Sequence, residues 1–152
     1  MTITRRRALQ QGAAAAGLLA SAGFIPVTAL AATPRAFEAK SVADAVKAFG
    51  GNSMVESKEV TLQGPDIAEN GAVVPLGVTA TAAGIKHLLI LVEKNPSALV
   101  AAFNVSDAVE PSFSTRAKMG QSSDVYAVAV MADGKALFAK KEVKVTLGGC
   151  GG

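Results

Sequence analysis

Tryptophan is absent from these 152 residues, and cysteine, histidine and tyrosine occur once each. Each scarcity removes a class of function. A single cysteine forbids an internal disulfide or a Cys-x-x-Cys redox pair. One histidine beside one cysteine supports neither a closed zinc site nor a Cys/His/Asn nucleophile constellation. Aromatic residues make up 5%, and no basic patch with interleaved aromatics exists, which excludes nucleic acid as the partner. Met54, Met119 and Met131 lack the spacing of a copper site. Acidic residues do not cluster: Asp66 and Glu69 flank a turn and Asp124 precedes a strand, as solvated loop carboxylates do. No helix could follow Gly148 to Gly152, so there is no phosphate-binding loop. The chain brings no machinery for turnover, and no cofactor or metal is expected.

The charge balance depends on the front end. The net charge is +3 and the pI about 9.2, yet Arg5, Arg6 and Arg7 account for the whole excess; without them 12 basic and 12 acidic residues remain. The consecutive arginines Arg5 and Arg6 precede an uncharged Ala/Gly/Leu-rich stretch from Gly12 to Ile25, which is the twin-arginine export pattern. Ala29-Leu30-Ala31 supplies a small-x-small cleavage site, so a signal peptide over 1–31 and a mature chain from Ala32 are expected. A membrane anchor is the alternative, since roughly 20 residues would suffice to span. Its Ala/Gly content and Pro26 argue against it, and no stable anchor is expected. Twin-arginine export places the protein in the bacterial periplasm, an oxidising compartment.

The mature part divides into a domain over 32–147 and a tail over 148–152. Ser41 followed by Val42, Val46 and Phe49, with Asp44 three residues after the cap and Gly50-Gly51 as the stop, predicts a short amphipathic helix over 41–49. Seven strands are predicted near 56–63, 72–81, 85–93, 98–105, 112–119, 124–132 and 136–147, separated by turn formers, with a tight hairpin at Asp133-Gly134. The fold class is therefore all-β: an immunoglobulin-like antiparallel β-sandwich of about seven strands with a short N-terminal helix and a flexible C-terminal arm. Leu88 to Val92 and Tyr126 to Met131 are apolar at successive positions, so both faces of these strands are buried. Either the N-terminal helix or a protein partner covers the outer face. His87, at the start of an apolar strand, reads as a hydrogen-bonded structural residue.

The lone cysteine lies in Gly148-Gly149-Cys150-Gly151-Gly152. A cysteine kept for packing has apolar neighbours; Cys150 has glycines on both sides, the composition of a mobile tether. Its nearest cation in sequence is Lys144, six residues back, so nothing local activates the thiol. Extended from Leu147, the tether reaches about 10 Å, enough to enter a narrow channel where bulkier neighbours would clash. The pattern describes a swinging arm that delivers a covalently held group to other enzymes.

The terminal KEVKVTLGGCGG, the segment AENGAVVPLGV and the central LLILVEKNPSALVAAFNV together resemble the SoxY family, the sulfur-carrying subunits of the SoxYZ complex of bacterial sulfur oxidation. The resemblance runs from about residue 41 to the end, and GGCGG is its most specific part. It implies that Cys150 is the covalent attachment site for sulfur and that Gly148, Gly149, Gly151 and Gly152 form its arm. It further implies a SoxZ-like β-sandwich partner in a heterodimer and a haem enzyme that joins thiosulfate to the cysteine. A manganese-dependent hydrolase would release sulfate, and the remaining sulfane would be either oxidised by a sulfane dehydrogenase or passed to storage; haem and manganese belong to those partners.

Rival classes are weaker. Ubiquitin-like sulfur carriers end in Gly-Gly but act in the cytoplasm, and a thiol redox enzyme needs a second cysteine or an activating neighbour. An extracytoplasmic β-sandwich binding module whose cysteine forms intermolecular disulfides is the remaining alternative.

Overall fold

A computed structural model describes residues 32–146, and side-chain surroundings from Arg35 onward. The proposed leader with Arg5 and Arg6, and the tail with Gly148, Gly149, Cys150, Gly151 and Gly152, lie outside the described residues.

Among the described residues two short helices come first: α1 (Ala32–Phe37) and α2 (Val42–Ala48). The start of α2 is where the sequence places it. Ser41 is extended (φ −122°, ψ 154°) and its hydroxyl accepts from the Asp44 amide at 3.1 Å, satisfying a donor the helix leaves free. At the other end Gly50 donates to the Lys47 carbonyl and Gly51 to that of Val46, a Schellman stop with Gly50 at φ 84°. A Cβ on Gly51 would stand 2.4 Å from Val46 Cγ1, so the turn has no room for a side chain. The helix α1 was not foreseen; its six residues are too few to show an apolar period.

Nine strands follow among the described residues: β1 (Ser53–Glu56), β2 (Val60–Gln63), β3 (Ile67–Ala68), β4 (Val74–Ala80), β5 (Ile85–Val92), β6 (Leu99–Asn104), β7 (Ser112–Ala117), β8 (Ser123–Met131) and β9 (Lys135–Val145). One sheet runs β1-β9-β8-β5-β6, with β3 also beside β9; the other runs β2-β4-β7. The sandwich expected from strand count is present. Its strand number and pairing differ in three respects. The expected strand over 56–63 is two strands in different sheets, because Ser57 turns the chain: its hydroxyl accepts from the Glu59 amide at 3.2 Å, a short-range bond that competes with the ladder. The expected turn after Gly64 contains β3. Both β1 and β3 pair with β9 in parallel, whereas the other ladders are antiparallel.

The doubly apolar strands are buried on both faces, as their sequence requires. Leu88, Ile90 and Val92 join Val125, Ala127 and Ala129 between the sheets, against Val74, Leu76 and Val78 of β4. Leu89 and Leu91, with Val128 and Val130, face outward and are sealed by Ala36 of α1 and by Val42, Ala45 and Val46 of α2. Of the two covers considered, the helices of the same chain supply this one. At the open side of the sandwich Phe103 of β6 stacks on Phe113 of β7, centroids 4.5 Å apart.

The hairpin β8–β9 turns at Gly134, φ 86°, where a Cβ would lie 2.6 Å from Asn52 Nδ2. The left-handed conformation costs a side-chain-bearing residue about 1–2 kcal/mol. Gly134→Ala is therefore expected to lower stability by at least that amount in denaturant titration, with the slope of the transition unchanged.

Candidate functional site

The strand β9 ends at Val145, one residue before the last described residue, so its end is the root to which the tail with Cys150 is joined. Parallel pairing of Ile67 with Lys144 and of Ala68 with Val145 holds this end. The Lys144 amide donates to the Asp66 carbonyl at 2.9 Å and the Thr146 amide to that of Ala68 at 3.1 Å. Thr146 Oγ1 reaches the Glu69 carbonyl at 3.3 Å. From the other side the Val145 amide donates to Ser122 Oγ at 2.9 Å. Farther back, Lys141 Nζ donates to the Gly64 carbonyl at 2.8 Å and lies 2.8 Å from Asp66 Oδ1. The strap 64–69 thus ties down β9 along the stretch that β1 leaves open. The strap is held in turn, since the Met119 amide donates to the Gly71 carbonyl at 2.7 Å.

The Lys141 ammonium, which hydrogen-bonds to the Asp66 carboxylate, holds it below the ordinary carboxylate range. A depressed carboxylate contributes stability above its unfolded pKa and loses it as the pH falls through the folded value. The Asp66 side chain is 86% exposed, so the contribution is small and screened by salt. For Asp66→Asn we expect an unchanged thermal midpoint but faster hydrogen exchange confined to the Lys144 and Thr146 amides; a global change would mean the strap supports the whole fold.

A fixed root limits the tail. Cys150 is four residues past Thr146, so its Cα lies within about 14 Å of the Thr146 Cα at ~3.3–3.6 Å per residue. His87 is outside that range. It pairs with Val130, seven residues along β8 from Ser123, which pairs with Val143; the two levels are about 23 Å apart at ~3.3 Å per residue, and Thr146 lies beyond the far one. His87 instead makes a 2.9 Å hydrogen bond from Nδ1 to Asn104 Oδ1 and packs on Phe49 at 5.1 Å, which is the structural part expected for it. Among the described residues no three of His, Cys, Asp and Glu gather as metal ligands. A shallow cleft on the outer face of the small sheet, lined by Gln63, Gly64, Gly77, Ser114 and Arg116 among others, contains one ionisable group and no acid/base pair. The strap is the feature that sequence reasoning missed; the Asp66 and Glu69 it saw as loop carboxylates are part of the root.

Fold and clamp together define a β-sandwich scaffold that fixes the chain up to Thr146. Residues 45–150, a span that includes Cys150, match the family model described as sulfur oxidation protein SoxY, and the chain belongs to that family. It is similar to the solved structure of the sulfur carrier protein SoxY from Chlorobium limicola f thiosulfatophilum, with 34% identity and TM-score 0.63 over 70% of this chain and 97% of that one. Two further solved structures share the fold alone. A superoxide reductase (neelaredoxin) from Ignicoccus hospitalis is 15% identical with TM-score 0.52, over 60% of this chain and 94% of that one. A superoxide reductase described as putative, from Thermotoga maritima, is 12% identical with TM-score 0.51, over 62% and 95%. No curated protein matches the chain by sequence. Membership in the SoxY family makes the protein a sulfur carrier of the Sox system.

Proposed function

We propose that the protein carries thiosulfate-derived sulfur on Cys150 in the periplasm and presents it to enzymes that act on it in turn. The observation that carries this reading is the family match extending through Cys150 on a scaffold whose exit strand is clamped from two sides. A haem-containing partner joins the cysteine sulfur to the sulfane sulfur of thiosulfate. The new S–S bond forms with loss of two electrons to the haem enzyme and of the thiol proton, leaving Cys150–S–S–SO3⁻. A manganese-dependent hydrolase then adds water across the terminal S–S bond, giving sulfate and a persulfide on Cys150, with two protons released. The persulfide is the substrate of a sulfane dehydrogenase. A SoxZ-like subunit completes the carrier as a heterodimer. Metal chemistry resides in the partners, and this chain contributes the thiol, its reach and its rigid base. Arg5, Arg6 and Ala29-Leu30-Ala31 support export by the twin-arginine route.

Labelled thiosulfate tests the reading. With the haem enzyme and an electron acceptor, label is expected to become bound stoichiometrically to the chain and to be freed by reductant. Thiosulfate consumption with no label retained would contradict it. Gly149 tests the arm. Gly149→Phe is expected to slow hydrolysis at least about tenfold, through misplacement in the channel, while Cys150 alkylates at the normal rate with a small reagent; normal hydrolysis would remove the case for a narrow channel.

A further inference from the structure

We propose that the strip Asp66–Val73 is the contact face for the channel mouth of an enzyme that acts on the sulfur of Cys150. The inference rests on the carrier reading above. Its basis is length: the cysteine lies within about 14 Å of Thr146, and an enzyme that draws it into a channel uses that length inside itself. The rim of the channel must then rest on the surface around Thr146.

That surface has an unusual composition. Ile67 is 57% exposed and Val73 53%, the two highest values for large hydrophobic side chains among the described residues. Both lie at the root. Ile67 pairs with Lys144 and alternates with Ala68, which is 6% exposed, so pairing in β3 fixes Ile67 outward. The Val73 amide is bonded to the Asn70 carbonyl, and the Asn70 side chain accepts from the Ala72 amide at 2.9 Å. This turn brings Val73 back to within about 7 Å of Asn70, next to the Glu69 that Thr146 touches. The other exposed hydrophobics are less exposed and off the strip: Val55 pairs with Leu137, toward the other end of β9, Val109 lies at a cleft formed with Gly84 and Ile85, and Phe37 ends α1, its carbonyl accepting from the Ser97 hydroxyl.

Two apolar side chains on a firmly held strip suit a partner with an apolar rim and a contact small enough to release. A carrier visiting several enzymes needs a weak interface, of the size class below about 1,200 Å². The rim contact is the same before and during reaction, so it acts on KM and leaves kcat alone.

The test uses full-length protein loaded on Cys150, with the sulfate-releasing hydrolase as the probe and Ile67→Thr/Val73→Thr as the variant; threonine keeps the branched shape suited to β-structure. Half-exposed aliphatics of this size are expected to contribute about fivefold each, so kcat/KM should fall about 25-fold through KM, with the midpoint and the alkylation rate of Cys150 unchanged. A thiosulfonated peptide of residues 146–152 should be as poor a substrate as the variant. Equal kcat/KM for variant and wild type, or a peptide as good as the whole protein, overturns the contact face alone. Loaded wild type that is not hydrolysed overturns the carrier reading with it.

Discussion

Cys150→Ser is expected to reduce thiosulfate-dependent labelling to background, because a hydroxyl oxygen cannot form the S–S bond on which every later step depends. The fold should not register the change. Among the described residues, the buried side chains of the two core clusters lie between Ala36 and Val143, so the thermal midpoint and the affinity for a SoxZ-like subunit are expected to equal those of the wild type. Loss of subunit binding in this variant would assign the cysteine a structural part, and residual stoichiometric labelling would place the attachment on another group. With one cysteine in the chain there is no thiol to substitute for it, which makes this the sharpest change available.

Leu89→Ala has the largest expected effect on stability. Leu89 is fully buried beneath α2 on the outer face of the large sheet. Truncating a buried leucine costs about 2–5 kcal/mol, the removed methyl groups and the residual cavity both contributing. In a domain of this size that lowers the midpoint by roughly 10 °C or more. Ile90→Ala, on the inner face against β4, should cost a comparable amount. The pair separates two architectures: if a partner subunit covered the outer face, Leu89→Ala would be nearly silent in the isolated chain while Ile90→Ala remained severe. Thermal unfolding of the two variants without any partner makes the comparison.

How much of this was legible in the sequence follows from the range of each interaction. The cap at Ser41, the stop at Gly50-Gly51 and the hairpin at Asp133-Gly134 are set by bonds spanning a few residues, and the sequence places all three correctly. Burial of Leu88 to Val92 on both faces was equally plain from composition, but the element covering Leu89 was not, since periodicity identifies an apolar face without naming its neighbour. Ser57 turned an expected strand into two because a local side-chain bond outcompeted a run of good β-formers. The strap beside β9 was invisible for the opposite reason: Thr146 and Ala68 are 78 residues apart, and β3 is two residues long, below the length at which alternation can be read. Of the site itself, Cys150 and its glycines stood out as a motif. The collar formed by Ile67 and Val73 emerged only from their exposure beside the fixed root.

Intact-mass analysis of the protein isolated from cells growing on thiosulfate tests the central claim most directly. The account predicts a fraction of chains that begin near Ala32 and carry an S2O3 group or an extra sulfur atom on Cys150, both removed by reductant. A Cys150 thiol found unmodified, or engaged solely in disulfides between chains, while thiosulfate is being consumed would contradict it.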